Sequence, residues 1–412
     1  MITRAENDRL TRVTGDVSLG NMLRENYWIP VARSQGIPLG SAPERLRILG
    51  RDLVIFRAKN GQIGLLDEHC PHRRASLALA RVEGCSLRCL YHGWRMDGSG
   101  KVVEVPSEGV RSEQFAARVQ VHRYRVVEAG GLVWAFFGQK DPPDLPPLPF
   151  LSVPDESRWF CRMKVNCNWL QGFEGALDSA HLNWLHKGWS ADEPQRAFRS
   201  SPSYESERTA YGLRTAAIRE SGAEVHFRVA EFIAPFFALS ASRQPSIPSD
   251  CSVFISVPVD DETHLLFFGF WDTSGKLHDI SKYFPAEMDP NDLITGAFAP
   301  ENRWGQDRAA MAAGHFSGVT RSVLHEDVAV QVSMGPIVDR SLENLCGTDL
   351  AIVRMRRFLL DLLDRFEGGQ PVDGALDGYR TEGHLPLGCS CPLGTDWRTI
   401  GSAGPQGFSH RT

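Results

Sequence analysis

The stretch "CPHRRASLALARVEGCSLRCLYHGW", Cys70 to Trp94, sets a Cys-x-His pair (Cys70, His72) 16 residues ahead of a Cys-x-x-His pair (Cys89, His92). Thiolates and imidazoles in this number are a complete set of metal ligands. Zinc takes Cys2His2 in structural sites. Buried free cysteines are also common and mostly inert.

Three details favour a two-iron cluster over both. The ligands alternate Cys, His, Cys, His, so one iron can take both thiolates and the other both imidazoles, as in a Rieske [2Fe–2S] centre. Neutral imidazoles in place of anionic thiolates raise the reduction potential. Pro71, Gly93 and Trp94 suit two tight loops meeting over a cluster, and the flanking sequence is strand-like, unlike a small ββα zinc finger. Cys85, a third thiol nearby, has no paired histidine and reads as structural.

Outward from this stretch, short apolar runs alternate with turn signals. Asn60-Gly61 predicts a two-residue hairpin turn between "LVIFRA" and "IGLLDE", and Asp97-Gly98 repeats the signal. "GLVWAFFG" (Gly131–Gly138) reads as a buried strand. Residues 26–138 are therefore expected to form an all-β [2Fe–2S] domain. Before it, residues 1–25 form an N-terminal helical segment, with Thr3 and Glu6 as a capping box. After it, six prolines between Pro142 and Pro154 predict a stiff linker over 139–158.

Residues 159–412 read as an α+β domain, an antiparallel sheet covered by helices. "NWLQGFEGALDSAHLNWL" has helical spacing, with Asn168 as cap and Gln171 completing a capping box. Residues 209–272 are mostly strand-like. Ile352, Met355, Leu359, Leu362 and Phe366 make an apolar helical stripe stopped by Gly368-Gly369. The fold class is α+β overall.

The chain has 412 residues and a formal net charge of -5. It lacks long Lys/Arg runs, which argues against nucleic acid or an anionic membrane as the main partner. The N-terminus has no apolar signal region, and "LLFFGFW" is too short to span a bilayer. Nine cysteines, an odd and dispersed number, suit reduced thiols, so the expected location is cytoplasmic. No flavin- or nicotinamide-binding motif is visible.

A second constellation lies in "EGALDSAHLNWLH". Asp178 and His181 are three apart, on one face of a helix. His181 and His186 are five apart and converge only if the helix loosens or ends near Asn183. A lone [2Fe–2S] cluster moves an electron without further chemistry. His-x4-His in a second domain suggests where that electron goes: a site of two histidines and one carboxylate holding Fe(2+), with positions open for O2. Glu326 and Asp327 both offer the carboxylate. The plainer reading of that pair is acidic residues opening a helix.

These features in this order resemble the Rieske non-haem iron oxygenases, and most closely the phthalate dioxygenase-like branch built from one subunit type. "CPHRRASL", "LRCLYHGWRMDGSGK", "NWLQGFEGALDSAHLNWLH" and "EDVAVQVSMGPIVDRSLENL" carry the likeness, which covers nearly the whole chain. The resemblance implies Cys70, His72, Cys89 and His92 as cluster ligands and His181, His186 and Asp327 as iron ligands. It implies that Asp178 links His181 to a cluster histidine of the neighbouring subunit, in a homotrimer or a hexamer of trimers. Where other branches carry an Asn after the residue matching Glu174, this chain has Gly175, so no amide is expected beside the iron. The implied activity is that of a terminal oxygenase, with a separate NAD(P)H-dependent reductase, acting on an aromatic acid or aryl ether by dihydroxylation, monohydroxylation or O-demethylation. A Rieske electron carrier without oxygenase activity is the alternative. Arg208, Arg214, Arg219 and Arg228 fall in the strands expected to floor the pocket. Arg214 and Arg228 are favoured for a substrate carboxylate.

Overall fold

Glycines in the left-handed region shape the hairpins around the first cysteine pair. In the computed structural model, residues 2–189, 201–241, 250–273, 298–372 and 385–400 are described, with isolated positions between them. Three antiparallel sheets make the N-terminal half: β1 (Ile29–Arg33) with β10 (Leu132–Phe136) and β9 (Arg125–Ala129); β2 (Glu44–Ile48), β3 (Arg51–Arg57) and β4 (Ile63–Asp67); and β5 (Arg81–Glu83), β6 (Ser86–Arg88), β7 (Arg95–Asp97) and β8 (Val102–Glu104). The β3–β4 and β7–β8 turns are longer than the expected two residues. In each, the first residue's N–H bonds the carbonyl four residues on, and its carbonyl accepts from the glycine three residues on: Ala58 with Gln62 and Gly61, Asp97 with Lys101 and Gly100. Gly61 and Gly100 take φ of +89° and +81°. The left-handed residue of the second turn is thus Gly100 rather than Gly98, as a three-residue loop closed by a left-handed glycine requires.

The second half is an eight-stranded antiparallel sheet. Its order is β11 (Arg158–Val165), β17 (His264–Asp272), β16 (Asp250–Pro258), β15 (Phe237–Ala241), β14 (Glu224–Ile233), β13 (Gly212–Ser221), β12 (Ser203–Arg208), and β18 (Leu387–Pro392) joins at β14. The helices in chain order are α1 (Arg4–Thr11), α2 (Ser18–Asn26), α3 (Ser112–Ala116), α4 (Trp169–Leu177), α5 (Arg308–Ala312), α6 (Val323–Ser333) and α7 (Leu350–Glu367). The α7 stripe is buried at Ile352, Met355, Leu359 and Leu362, and the helix stops before Gly368.

Helix α1 carries the Thr3–Glu6 capping box, and it serves the second half of the chain rather than the first. Leu10 and Thr11 carbonyls accept from Trp169 Nε1 and Asn168 Nδ2 at the start of α4. The Asn168 Oδ1 caps Leu170 N–H, as its position predicts. Gln171 does not complete a capping box. Its side chain reaches Gln331 O, Gly335 O and Val338 N, tying α4 to α6 and to the segment after it.

The proline-rich segment is packed rather than free. Leu148 and Phe150 are buried, and the Phe150 ring lies 5.2 Å from Phe160. Trp28 Nε1 donates to Pro143 O at 2.7 Å. Prolines hold this backbone extended, and the apolar residues between them fill the seam. One apolar cluster crosses the seam, with Trp134 of β10 6.1 Å from Phe237 of β15.

Candidate metal centres

The two cysteine pairs sit on equivalent loops. Cys70 N–H bonds Ala75 O (2.8 Å) and Cys70 O accepts from Arg74 N–H (3.0 Å); Cys89 N–H bonds Trp94 O (2.8 Å) and Cys89 O accepts from Gly93 N–H (3.0 Å). The residue at the fourth loop position is left-handed in both, Arg74 at φ 61° and Gly93 at φ 73°. The loops superpose in bonding pattern, yet histidine stands at the second position after the cysteine in one and the third in the other. This offset places His72 and His92 edge to face, 4.4 Å between ring centroids. His72 stacks on Trp94 at 4.7 Å.

This donor set fits a [2Fe–2S] cluster. Cys70 and Cys89 are buried side by side, and burial pushes the Cys70 thiol up to about 11, with the neighbouring Cys89 adding to the rise. The His72 and Arg73 backbone N–H groups favour its thiolate. A buried thiol of this kind becomes anionic only against a cation. His92 Nδ1 is buried and has no hydrogen-bond partner, the condition of a nitrogen shaped to bind metal. Cys85, expected to be structural, is instead exposed, in the β5–β6 turn.

The second constellation converges differently from the one-helix expectation. Helix α4 ends at Leu177, and Asp178 leaves helical geometry at φ -86°, ψ 111°. Asp178 Oδ1 accepts from Ala180 N–H at 2.6 Å, an Asx-type turn. The sheet grips both polar groups of the next residue: Ser179 N–H donates to Tyr204 Oη (2.7 Å), and Ser179 O accepts from Arg219 (3.0 Å). Two short 3-10 turns, His181–Asn183 and Leu185–Trp189, then carry the histidines. The break comes earlier than Asn183 because β12 and β13 supply side chains that capture the Ser179 peptide. Nothing local in the sequence marks Tyr204 or Arg219 for that duty.

One ligand atom each from His181, His186 and Asp327 lies within 4.8 Å of the others. Both Nε2 atoms face Asp327 Oδ1, at 3.5 Å from His181 and 3.2 Å from His186. Behind them, His181 Nδ1 faces Asp178 Oδ2 at 3.4 Å and His186 Nδ1 faces Glu326 Oε2 at 2.6 Å. The neighbouring acids of α6 therefore divide the work: Asp327 joins the triad, and Glu326 sits behind His186. Two imidazoles and a carboxylate on one side of a site suit Fe(2+) with positions left open. Burial raises the Asp178 carboxyl, but His181 and the N–H groups of Ala180 and His181 outweigh it and hold it below the usual range.

A cavity of about 870 Å³, mouth included, opens on the triad. Its wall is mostly apolar, with Phe254, Leu266, Phe268 and Phe270 from the sheet and Leu324 from α6. Arg228 lines it and is buried. Arg214 does not line it. Its guanidinium is turned to Glu231 (3.0 Å) and stacks over Trp397, so the expected substrate role is not met there. A buried carboxylate needs such a partner, and Glu231 has Arg214 and Tyr211. Arg208 is likewise taken by Asp361. Gln331, one turn after Asp327, also lines the cavity, with Nε2 3.0 Å from where a Cβ on Gly175 would stand. An amide thus reaches this cavity from α6, although Gly175 itself has none.

Comparison with known proteins agrees with both halves. Residues 27–122 match the Rieske [2Fe-2S] domain family, and residues 135–406 match the family described as LigXa C-terminal domain like. The chain is 36% identical over 402 residues to the phthalate 4,5-dioxygenase oxygenase subunit of Pseudomonas putida, covering 91% of this chain and 89% of the relative. It is 36% identical over 405 residues to the 3-chlorobenzoate-3,4-dioxygenase oxygenase subunit of Comamonas testosteroni, covering 92% of each. It is 30% identical to the 5,5'-dehydrodivanillate O-demethylase oxygenase subunit of a Sphingobium species, covering 94% of this chain and 86% of that one. Among solved structures, the terminal oxygenase of carbazole 1,9a-dioxygenase from Novosphingobium sp. KA1 shares the fold at TM-score 0.57 and 19% identity, over 86% of this chain and 94% of that one. With its cluster loops, its His-His-Asp cluster and these relatives, the chain belongs to the Rieske non-haem iron oxygenases, in the phthalate dioxygenase-like branch, and is the oxygenase subunit of a multicomponent system that carries a [2Fe–2S] cluster and a mononuclear iron.

Proposed function

We propose that Cys70 and Cys89 hold one cluster iron, His72 and His92 the other, and that His181, His186 and Asp327 hold the Fe(2+). The observation that carries this reading is the convergence of those three side chains on a mostly apolar cavity. Iron bound there would supply O2 activation, and the cluster would supply its electrons. The chain's own residues do the rest. Apolar side chains exclude water and hold a planar ring beside the triad, and pose selects among dihydroxylation, monohydroxylation and O-demethylation. Within the oxygenase branch the electron-carrier alternative falls away.

The substrate class we favour is an aromatic acid. Arg228 places a guanidinium in the cavity wall, and a guanidinium fork matches a carboxylate. Arg219 and Arg228 both lie close to buried His226, which burial and then these two charges push down to about 4. Two of the relatives named above act on phthalate and 3-chlorobenzoate. A separate NAD(P)H-dependent reductase supplies electrons, and the chain works in the cytoplasm. No helix among the described residues is long and apolar enough to cross a membrane.

Asp178 lines a second opening, on the α6 side, together with Leu185, Val330 and Met334. In a ring of three subunits this opening would receive the neighbour's cluster loop, where Leu90 and Tyr91 are exposed. Asp178 would then accept from His92 of the neighbour as well as from His181. Sizing in solution tests the ring. Co-expressing His92→Ala and His181→Ala chains tests the electron route, because only transfer between subunits restores activity.

The deciding experiment for function supplies aromatic acids and aryl ethers with a surrogate reductase and compares NADH consumed with product formed. Wild-type protein should carry about three irons per chain, two in the cluster and one in the triad. Coupled turnover of an acid, with a raised KM in Arg228→Gln, is the expected result. Protein with cluster iron alone would sink the oxygenase site. Unchanged KM in Arg228→Gln would sink the carboxylate anchor.

A further inference from the structure

We infer that Glu326 is a positioning residue for the iron, fixing His186 as its rigid ligand through a buried Ser317–Glu326–His186 chain. The inference rests on His181, His186 and Asp327 being the iron site. Glu326 is fully buried, as His186 nearly is. A carboxylate in such a place is costly unless each oxygen finds a donor. Here each does: Oε1 accepts from Ser317 Oγ–H, and Oε2 meets His186 Nδ1 at 2.6 Å.

The direction of the chain follows from its ends. Ser317 Oγ already accepts from Val319 N–H (3.1 Å), and the nearby His315 Nδ1 already accepts from Gly318 N–H (3.1 Å). The Ser317 proton therefore goes to Glu326. Glu326 has its other oxygen left to accept the His186 Nδ1 proton. That leaves His186 Nε2 as a lone pair aimed at Asp327 Oδ1, 3.2 Å away. A carboxylate behind a metal histidine fixes tautomer and ring orientation and raises basicity.

His181 is held more loosely. Its carboxylate partner Asp178 stands 3.4 Å from Nδ1 and keeps 29% of its side chain exposed. The two histidines are thus unequal: His186 is clamped within the subunit, while His181 has a partner that is free to take another hydrogen bond. Adjacent acids on α6 hold His186 at both nitrogens, one across the metal position and one from behind.

The test uses full-length, cluster-loaded protein with Glu326→Ala, Glu326→Gln and Ser317→Ala. Iron retained per chain is measured through a titration with a ferrous chelator, with the visible spectrum of the cluster as the check on folding. Glu326→Ala should lose about 10–100-fold in iron affinity, the usual loss when the partner behind a metal ligand is removed. Glu326→Gln should recover most of it, since an amide oxygen still accepts from Nδ1–H. The missing charge should nevertheless change the paramagnetic spectrum of the nitric oxide adduct, which a merely space-filling role would not do. Ser317→Ala should lose a few-fold. Wild-type affinity in Glu326→Ala overturns the proposal. Should that variant not fold, wild-type affinity and adduct spectrum in both Glu326→Gln and Ser317→Ala overturn it equally. Full iron loss in Glu326→Ala with iron kept in Asp327→Ala would make Glu326 the ligand and overturn it too. Wild-type protein without mononuclear iron would instead refute the iron site itself, a failure visible before any variant is made.

Discussion

The cluster loops and the iron site are built on opposite plans. The loops are two copies of one local turn, complete within residues 70–94, each closed by its own backbone bonds. The candidate iron site is gathered: a break after α4 supplies two histidines, and α6 supplies two acids, the first of them 140 positions beyond His186. The repeated loop depends on itself and on a few neighbours such as Arg88, which donates to Gly93 O. The gathered site depends on elements that each bear another load, as β12 and β13 do in holding Ser179. Damage to the first should stay local, and damage to the second should spread.

Asp327→Ala breaks the gathered site most completely. Metal analysis should find the mononuclear iron gone and turnover at background, with the cluster spectrum unchanged. Loss of the cluster as well would show that the two plans are not independent. Asp178→Asn comes next. It should keep both metals, since Asp178 stands behind His181, yet lower turnover by at least about 100-fold, the upper end for groups behind metal ligands. Near-normal steady-state rates would remove the link between centres.

On the cluster side, His92→Cys should keep a bound cluster and shift its potential toward the roughly -400 mV of plant-type, all-cysteine clusters. A redox titration that finds the wild-type potential would count against His92 as a ligand. The smallest effect probes the equivalence of the loops. Gly93→Ala puts a Cβ on a left-handed residue 3.3 Å from Pro106, at a cost of about 1–2 kcal/mol. Arg74→Gly, at the matching position, should relieve strain instead. Thermal unfolding followed at the cluster absorbance should move down for the first and not for the second.

The same contrast explains what could be read in advance. The candidate cluster ligands are legible because the spacing of Cys70, His72, Cys89 and His92 places them on two matching loops. Asp178, His181 and His186 could be singled out as residues, but their geometry could not, because tertiary bonds from Tyr204 and Arg219 stop α4 before the expected point. The choice between Glu326 and Asp327 was out of reach of spacing alone: neighbours on a helix differ only in direction, and direction depends on what lies across from α6. Arg214 and Arg228 looked alike for a similar reason. Both are buried strand arginines, and only the position of Glu231 on the adjacent strand separates a structural pair from a cavity residue.

Strand β18 has a consequence for how the protein is made. It pairs with Glu224–Val229 of β14, opposite Arg228 at Gly388, while β15 covers Ala230–Ile233 on the same side. On a translating ribosome, β14 emerges more than a hundred residues before its partner. Half of its edge, beside the cavity that Arg228 lines, then waits as an open template for another strand. The nascent chain carries that open edge throughout the interval, so slow synthesis or scarce chaperone late in translation should lower the yield of folded protein.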